Sequence, residues 1–233
     1  MDRASQLIIF KAQTENVRAL NRAWTHLLRT INRELSNGNL VSAASHTKAL
    51  ALIFCTWSEA NFLKLIHTPH CFELDEIRQI KALSSRDIVH GWLKCLELGL
   101  GRVSKTPKSN YIPNIRQTVE RIIHTYVDEP RLLRNKIAHG QWAIALNREN
   151  AAKNEALTKR IHATNVVDLA IWKEALSCLN NIIECLIESP DRAFHRDYWY
   201  EVAKIEYHLS KTEKWTLESK IKKLKRKASF HKE

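Results

Sequence analysis

The chain has 233 residues, of which 44% are hydrophobic, with only five Gly and five Pro and a formal net charge of +12. So few turn-forming residues favour long helices, and the apolar fraction is large enough to fill a sizeable core. No uncharged apolar run reaches the length of a membrane span, and the run near the N-terminus is too short for a signal peptide. We therefore expect neither a membrane protein nor a secreted one.

Two long helices are predicted in the first third of the chain. Apolar residues recur every three or four positions over 5–35, and Ser36-Asn37-Gly38 should end that helix. A second apolar stripe covers about 40–66. Because the connection between them is short, the two helices should pack antiparallel.

The middle of the chain continues with helices over about 74–83 and 85–99. The polar stretch from Gly99 to Pro113 is a candidate substrate-facing loop. Pro113 suits the first turn of the next helix, and Pro130 suits the start of the helix after that.

The last third combines a candidate strand pair with further helices. Residues 142–146 and 158–162 are candidates for a short strand pair across 147–154, although the first run alternates only loosely. Thr164 or Asn165 can cap the following helix, with Asp168 placed for a capping box, and Ser189-Pro190 ends it. Two more helices are expected over about 191–210 and 213–227.

These elements predict an all-α fold, a bundle of long antiparallel helices with at most one small β-hairpin and a basic C-terminal helix. We divide the chain into a helical domain, 1–210, and a basic helix or tail, 211–233. The second part holds nine Lys and Arg against three Glu. A phosphate backbone is an obvious partner for that charge, although basic tails also occur as solvated ends.

Cysteine and histidine usage predicts neither disulfides nor a metal. The five cysteines are odd in number and contain no C-x-x-C pair, which indicates reduced thiols and a cytoplasmic protein. His67, His70 and Cys71 lie close together, but no second ligand pair follows at a suitable spacing. We expect no metal and no cofactor.

One short stretch carries chemistry suited to a phosphodiester. Arg134 offers a planar fork of donors to phosphate oxygens, and His139 can give or take a proton near neutral pH. Asn135 and His139 are i and i+4 on one face of the predicted helix, and Arg134 is one step around with a long side chain. Gly140 is a natural helix stop.

The Arg-to-His spacing by itself is not informative. Chance is expected to give about two such pairs in a chain of this composition. The chain contains two, Arg134–His139 and Arg226–His231. Only the first lies in an apolar helix, with Asn beside the arginine and a glycine stop.

That stretch, Arg134-Asn135-Lys136-Ile137-Ala138-His139, resembles the signature of the HEPN superfamily, in which Arg, often Asn, is followed by His after four to six residues. The segment from Trp57 to Leu65, which includes Glu59, looks like the earlier core helix of that superfamily. The resemblance covers roughly residues 40–190. It implies a helical bundle that dimerises, and often a metal-independent RNase of toxin or phage-defence type.

The resemblance also implies roles for the motif residues. In such a nuclease the ribose 2′-hydroxyl attacks the adjacent phosphate, His139 moves protons, Arg134 holds the phosphate, and Asn135 orients one of them. Two copies of the motif would meet across a homodimer, giving a site with two Arg and two His. The partners expected are RNA, a second copy and an antitoxin or regulatory protein, with no membrane.

Further residues are candidates for substrate binding. Glu59 could pair with Arg134 or polarise His139, although a surface glutamate is the commoner case. The cationic candidates are Arg131, Lys136, Lys222, Lys223, Lys225 and Arg226.

Two other interpretations stay open at this stage. The chain could be a HEPN bundle that binds RNA, or pairs with a nucleotidyltransferase-type antitoxin, without cutting. It could also be a helical protein in which His139 simply caps a helix end and the tail binds anions loosely. Growth arrest on expression, relieved by Arg134→Ala, would favour an enzyme.

Overall fold

The helices follow one another with short connections in the computed structural model, which describes residues 2–104 and 110–230 without the side chains of 129, 134 and 228–230. In chain order they are α1 (Arg3–Asn37), α2 (Leu40–Ile66), α3 (Leu74–Ser84), α4 (Ile88–Leu100), α5 (Tyr111–Ile123), a π-helical turn (His124–Asp128), α6 (Glu129–Ala138), α7 (Glu155–Ala163), α8 (Val166–Glu188), α9 (Ala193–Thr212) and α10 (Leu217–Phe230). The predicted all-α fold is confirmed. Part of the candidate loop, 105–109, lies outside the described residues.

A long hairpin of α1 and α2 forms one side of the bundle. The Asp2 carboxylate accepts a hydrogen bond of 2.8 Å from the Ser5 amide and so caps α1. Gly38 ends α1 with φ of +82°, a left-handed conformation that glycine adopts without strain. The two-residue connection turns the chain back, and Trp24 and Ile31 of α1 are buried in the shared core.

The centre of the bundle is built around α2 and α8. Phe54 of α2 packs against Trp57 and Trp172, with ring centroids 6.2 Å apart in both pairs. The helix α9 packs along α8, and α10 packs against α1 and α8. Leu217, Ile221 and Leu224 of α10 contact the core, and the expected boundary at 210–211 falls inside α9.

One described helix, α2, is long and apolar enough to cross a membrane by length and composition. Its most apolar window has a mean hydropathy of 1.4, and 56% of that window is buried inside the bundle. In the bundle α2 packs against α1, α6 and α8.

The expected strand at 158–162 is wrong, because those residues belong to α7. The Asn154 side chain accepts a hydrogen bond of 2.9 Å from the Leu157 amide, which satisfies an amide of the first turn and starts a helix. Within the described residues the hairpin is reduced to an isolated bridge between Leu146 and Lys153.

The start of α8 matches its sequence prediction. Asn165 accepts a hydrogen bond of 2.8 Å from the Val167 amide. Its own amide donates to the Asp168 carboxylate, also at 2.8 Å. This reciprocal pair is the expected capping box, with Asn165 rather than Thr164 as the cap.

The helix that carries the motif is joined to α5 by the π-helical turn. Pro130 occupies the first turn of α6, where it lacks an amide to donate and its ring would press on the preceding turn of a regular helix. The wider π-helical turn makes room at this position. As a result α5, the turn and α6 form one continuous but uneven helix, rather than two helices separated by a break.

Candidate functional site

The motif helix α6 buries one side and exposes the other. Leu133 and Ile137 are 1% and 3% exposed and pack in the core. Asn135 lies away from that side and is half-buried, and His139 is exposed one turn further on. The predicted shared face of Asn135 and His139 is therefore present, and it lies at the protein surface.

The end of α6 is fixed by hydrogen bonds around Gly140. This glycine has φ of +76°, and its amide donates to the Ile137 carbonyl at 3.1 Å. The Gln141 amide donates to the Lys136 carbonyl at 2.9 Å, which completes a Schellman motif. The predicted glycine stop is confirmed, and His139 is the C-cap residue directly after the last helical residue, Ala138.

The His139 imidazole is accessible to solvent. Its side chain is exposed and makes no hydrogen bond or ion pair within the described part of the chain. Its backbone amide donates to the Asn135 carbonyl at 3.3 Å, so the residue is held while the ring is accessible. A ring in this setting can reach a substrate without first breaking an internal contact.

Arg134 lies on a different side of α6 from His139. The two residues are five apart, and five steps of a regular helix amount to about 140° around its axis. The Arg134 side chain is outside the described residues, so its predicted reach to the phosphate beside His139 stays a prediction.

Arg131 contacts carboxylates of its own chain. Its guanidinium donates to Asp128 at 2.6 Å and lies 3.3 Å from the second carboxylate oxygen of Asp87. Asp87 also caps α4 by accepting from the Val89 amide at 3.0 Å. Arg131 thus joins the start of α6 to the start of α4, and this structural role competes with the expected role in phosphate binding.

Lys136 is also used inside the fold. Its ammonium donates a hydrogen bond of 2.6 Å to the backbone carbonyl of Leu146, in the loop that follows α6. Gln141 accepts from the Leu146 amide at 2.7 Å, so both backbone groups of that residue are held. The geometry favours a role for Lys136 in fixing this loop rather than in binding substrate.

Glu59 lies on α2, near the beginning of the motif helix. It lines a narrow cleft together with Ser58, Ile88, Pro130 and Arg131. The cleft is on the Arg131 side of α6, at the opposite end from His139. The position of Glu59 therefore does not support the prediction that it polarises His139. Its predicted pairing with Arg134 stays a prediction.

The basic residues of the last helix are not gathered at the motif. The helix α10 packs against α1 and α8, whereas α6 packs against α2, α7 and the π-helical turn. Lys222, Lys225 and Arg226 are exposed on α10, and Lys223 faces a cleft beside α8. Any contact they make with RNA is made away from His139 on the same copy.

Two residues beside the motif were not identified from the sequence. The Trp142 indole donates a hydrogen bond of 2.9 Å to the Ile137 carbonyl and covers the end of α6. Lys48 of α2 lies 6.0 Å from the Trp142 ring centroid, within range of a cation–π contact. A tryptophan two residues after the glycine stop is a signal for such a cap, whereas the sequence pattern predicts a strand at this position.

Cysteine and metal chemistry have no support in the described residues. Burial raises the pKa of Cys71 to about 11 and that of Cys178 to about 12, so these thiols are protonated at neutral pH. The described part of the chain contains no group of three or more His, Cys, Asp or Glu able to hold a metal ion.

Comparison of this chain with protein-family models, with curated proteins and with solved structures finds no match.

Proposed function

We propose that this protein is a metal-independent endoribonuclease of the HEPN type, with a site shared between two copies of the chain. Arg134 of one copy holds the scissile phosphate, and His139 of the other copy transfers the proton. Asn135, one helical turn before His139, orients the imidazole or the phosphate. A toxin or phage-defence effector is the biological role that such an activity suits.

The observation that carries this proposal is the accessible His139 at the fixed end of α6. The Schellman motif holds its backbone, and its ring has no internal partner among the described residues. An imidazole with no structural contact to lose is suited to reversible protonation during turnover.

The chemistry requires only groups that the motif supplies. His139 removes the proton from a ribose 2′-hydroxyl, the 2′-oxygen bonds to the adjacent phosphorus, and the bond to the 5′-oxygen breaks. The imidazolium then returns the proton to the leaving 5′-oxygen. Arg134 stabilises the charge on the phosphate oxygens as it builds up. The products are a 2′,3′-cyclic phosphate and a 5′-hydroxyl.

An exposed apolar surface beside the motif supports the dimer. Leu132 is 42% exposed and lies two turns before His139 on the same face of α6, and Trp142 and Ile144 are 37% and 45% exposed just after it. Apolar side chains around a polar group are the composition expected at the centre of an interface between copies. A two-fold contact through this surface would bring two motif helices together.

A binding module that does not cut RNA is the second candidate. Two cations of α6, Arg131 and Lys136, contact groups of their own chain, which reduces the charge available to hold a phosphate. Such a module would keep the dimer and RNA affinity but show no turnover. It would leave growth unaffected when expressed alone.

The two candidates are separated by incubating purified protein with total RNA in the presence of EDTA, followed by analysis of the new ends. We expect cleavage with 2′,3′-cyclic phosphate ends, and we expect His139→Ala to lower the rate at least about a hundredfold while the dimer persists. His162→Ala is the matched control, because that imidazole contacts the Ala143 carbonyl at 2.8 Å and lies outside the motif. Cleavage that stops in EDTA, or an active His139→Ala protein, would contradict the proposal.

A further inference from the structure

The cleft between α8 and α10 combines an apolar floor with several cations. It has a volume of about 250 Å³ and is lined by Val167 and Ala170 of α8, by Lys220, Lys223, Leu224 and Lys227 of α10, and by Trp215.

The charge in this cleft is all of one sign. Lys220, Lys223 and Lys227 are four or fewer residues apart along one face of α10, and no carboxylate lines the cleft with them. Glu218, in the first turn of α10, is exposed and is not a lining residue. Within the described residues these three lysines have no ion-pair partner, and the charge therefore favours an anionic occupant.

Lys220 is the most enclosed of the three. It is half-buried, and burial lowers the pKa of its ammonium, with the charge of Lys223 adding to that effect. An anion bound between two neighbouring cations relieves their repulsion. The resulting gain in binding free energy is larger beside an apolar wall than for two lysines fully exposed to water.

Trp215 gives the cleft a flat aromatic surface. Its side chain is 52% exposed, and its backbone amide donates to the Thr212 carbonyl at 2.8 Å in the turn before α10. Reciprocal hydrogen bonds between Thr216 and Ser219 then start the helix and fix this turn. An exposed, held indole next to lysines is suited to stack on a base while the lysines pair with phosphates.

We propose that this cleft binds a segment of single-stranded RNA, with a base on Trp215 and phosphates on Lys220, Lys223 and Lys227. The inference rests on RNA being the substrate class proposed above and locates an anchoring site away from the cleaving motif. A membrane surface is disfavoured because the cleft is concave and the apolar residues of α10 face the core.

The test measures binding of a fluorescein-labelled twelve-nucleotide oligouridine to the full-length His139→Ala protein, in which cleavage is blocked. The double substitution Lys220→Gln with Lys223→Gln should lower affinity at least about tenfold and reduce the slope of log affinity against log salt by about 1.4. Trp215→Ala should lower affinity by about tenfold.

The matched control is Lys222→Gln with Lys225→Gln, which removes the same charge from the opposite face of the same helix. We expect it to lower affinity by less than about threefold. Thermal melting of each variant checks the fold, and Trp215→Ala, at an exposed position, keeps the test valid if the lysine variant unfolds.

Equal losses in the cleft and control variants would overturn the proposal, and so would unchanged binding by Trp215→Ala. Cleft-dependent binding to phosphatidylglycerol vesicles without cleft-dependent RNA binding would overturn it in favour of a lipid. Failure of the nuclease proposal can be told apart from failure of the cleft proposal. In that case the wild-type protein would bind RNA through the cleft but would not cut it.

Discussion

The Lys136 ammonium donates a hydrogen bond of 2.6 Å to the backbone carbonyl oxygen of Leu146. This contact joins the motif helix to the loop that follows it. Lys136 therefore helps to fix the loop next to His139. The motif therefore contains residues of two kinds, those that fix the helix end and those that are accessible to a substrate.

We expect Lys136→Ala to lower the free energy of unfolding by about 1–2 kcal/mol, because a charge-assisted hydrogen bond to a backbone carbonyl is lost. Lys159→Ala is the control, since Lys159 is exposed on α7, and it should change stability by less than about 0.5 kcal/mol. Urea denaturation measures both. Equal stability of the two variants would show that the Leu146 contact contributes nothing.

Arg131→Gln should lower stability by about 1–2 kcal/mol without changing RNA affinity by more than about twofold. The substitution leaves Asp87 and Asp128 without their shared cation. Arg78→Gln removes the same charge from an exposed ion pair with Asp75 and should cost less than about 0.5 kcal/mol. A large loss of RNA affinity in a stable Arg131→Gln protein would restore the role in phosphate binding.

Leu132→Glu should weaken the dimer at least about tenfold, because it places a charge in the apolar surface beside His139. Val41→Glu is the control, at a position that is 84% exposed near the start of α2. Analytical ultracentrifugation over a concentration series gives the dissociation constant of each. A Leu132→Glu protein that dimerises as tightly as the wild type would place the interface elsewhere.

Stability should fall as the solution is acidified below about pH 6.5, in part because of His67. This imidazole is 1% exposed and contacts the Leu63 carbonyl at 2.7 Å, and burial lowers its pKa below the usual 6.5. Below pH 6.5 the unfolded chain therefore binds a proton that the folded chain resists, until the pH reaches the lower folded value.

His67→Asn keeps a donor for the Leu63 carbonyl but does not titrate, so its loss of stability with acid should be smaller than that of the wild type. His26→Asn, at an exposed position on α1, should leave the pH dependence unchanged. Thermal melts at pH 5.0, 6.0 and 7.5 compare the three proteins. Identical profiles for wild type and His67→Asn would rule out His67 as a cause.

Much of the fold could be predicted because the local signals agree with the packing. The extent of α2, predicted over about 40–66, and the cap at Asn165 both depend on local sequence signals, and both are confirmed. The prediction of a strand at 158–162 was wrong because the Asn154 cap that starts the helix lies four residues before that run.

The site was harder to predict than the fold. The glycine stop at Gly140 is a local signal and is confirmed. The pairing of Arg131 with Asp87 joins residues 44 positions apart, which no spacing rule can indicate. The direction of the Lys136 side chain depends on where the following loop returns, and this is set by tertiary packing.

The most direct test of the shared site uses mixed dimers of Arg134→Ala and His139→Ala chains. Each variant alone should be inactive, because every site lacks one of the two groups. Equal mixing after subunit exchange should restore about a quarter of wild-type cleavage, since half of the dimers are mixed and each mixed dimer holds one complete pair. Mixed dimers that form but cut no RNA, or either single variant cutting at the wild-type rate, would contradict a site built from Arg134 of one copy and His139 of the other.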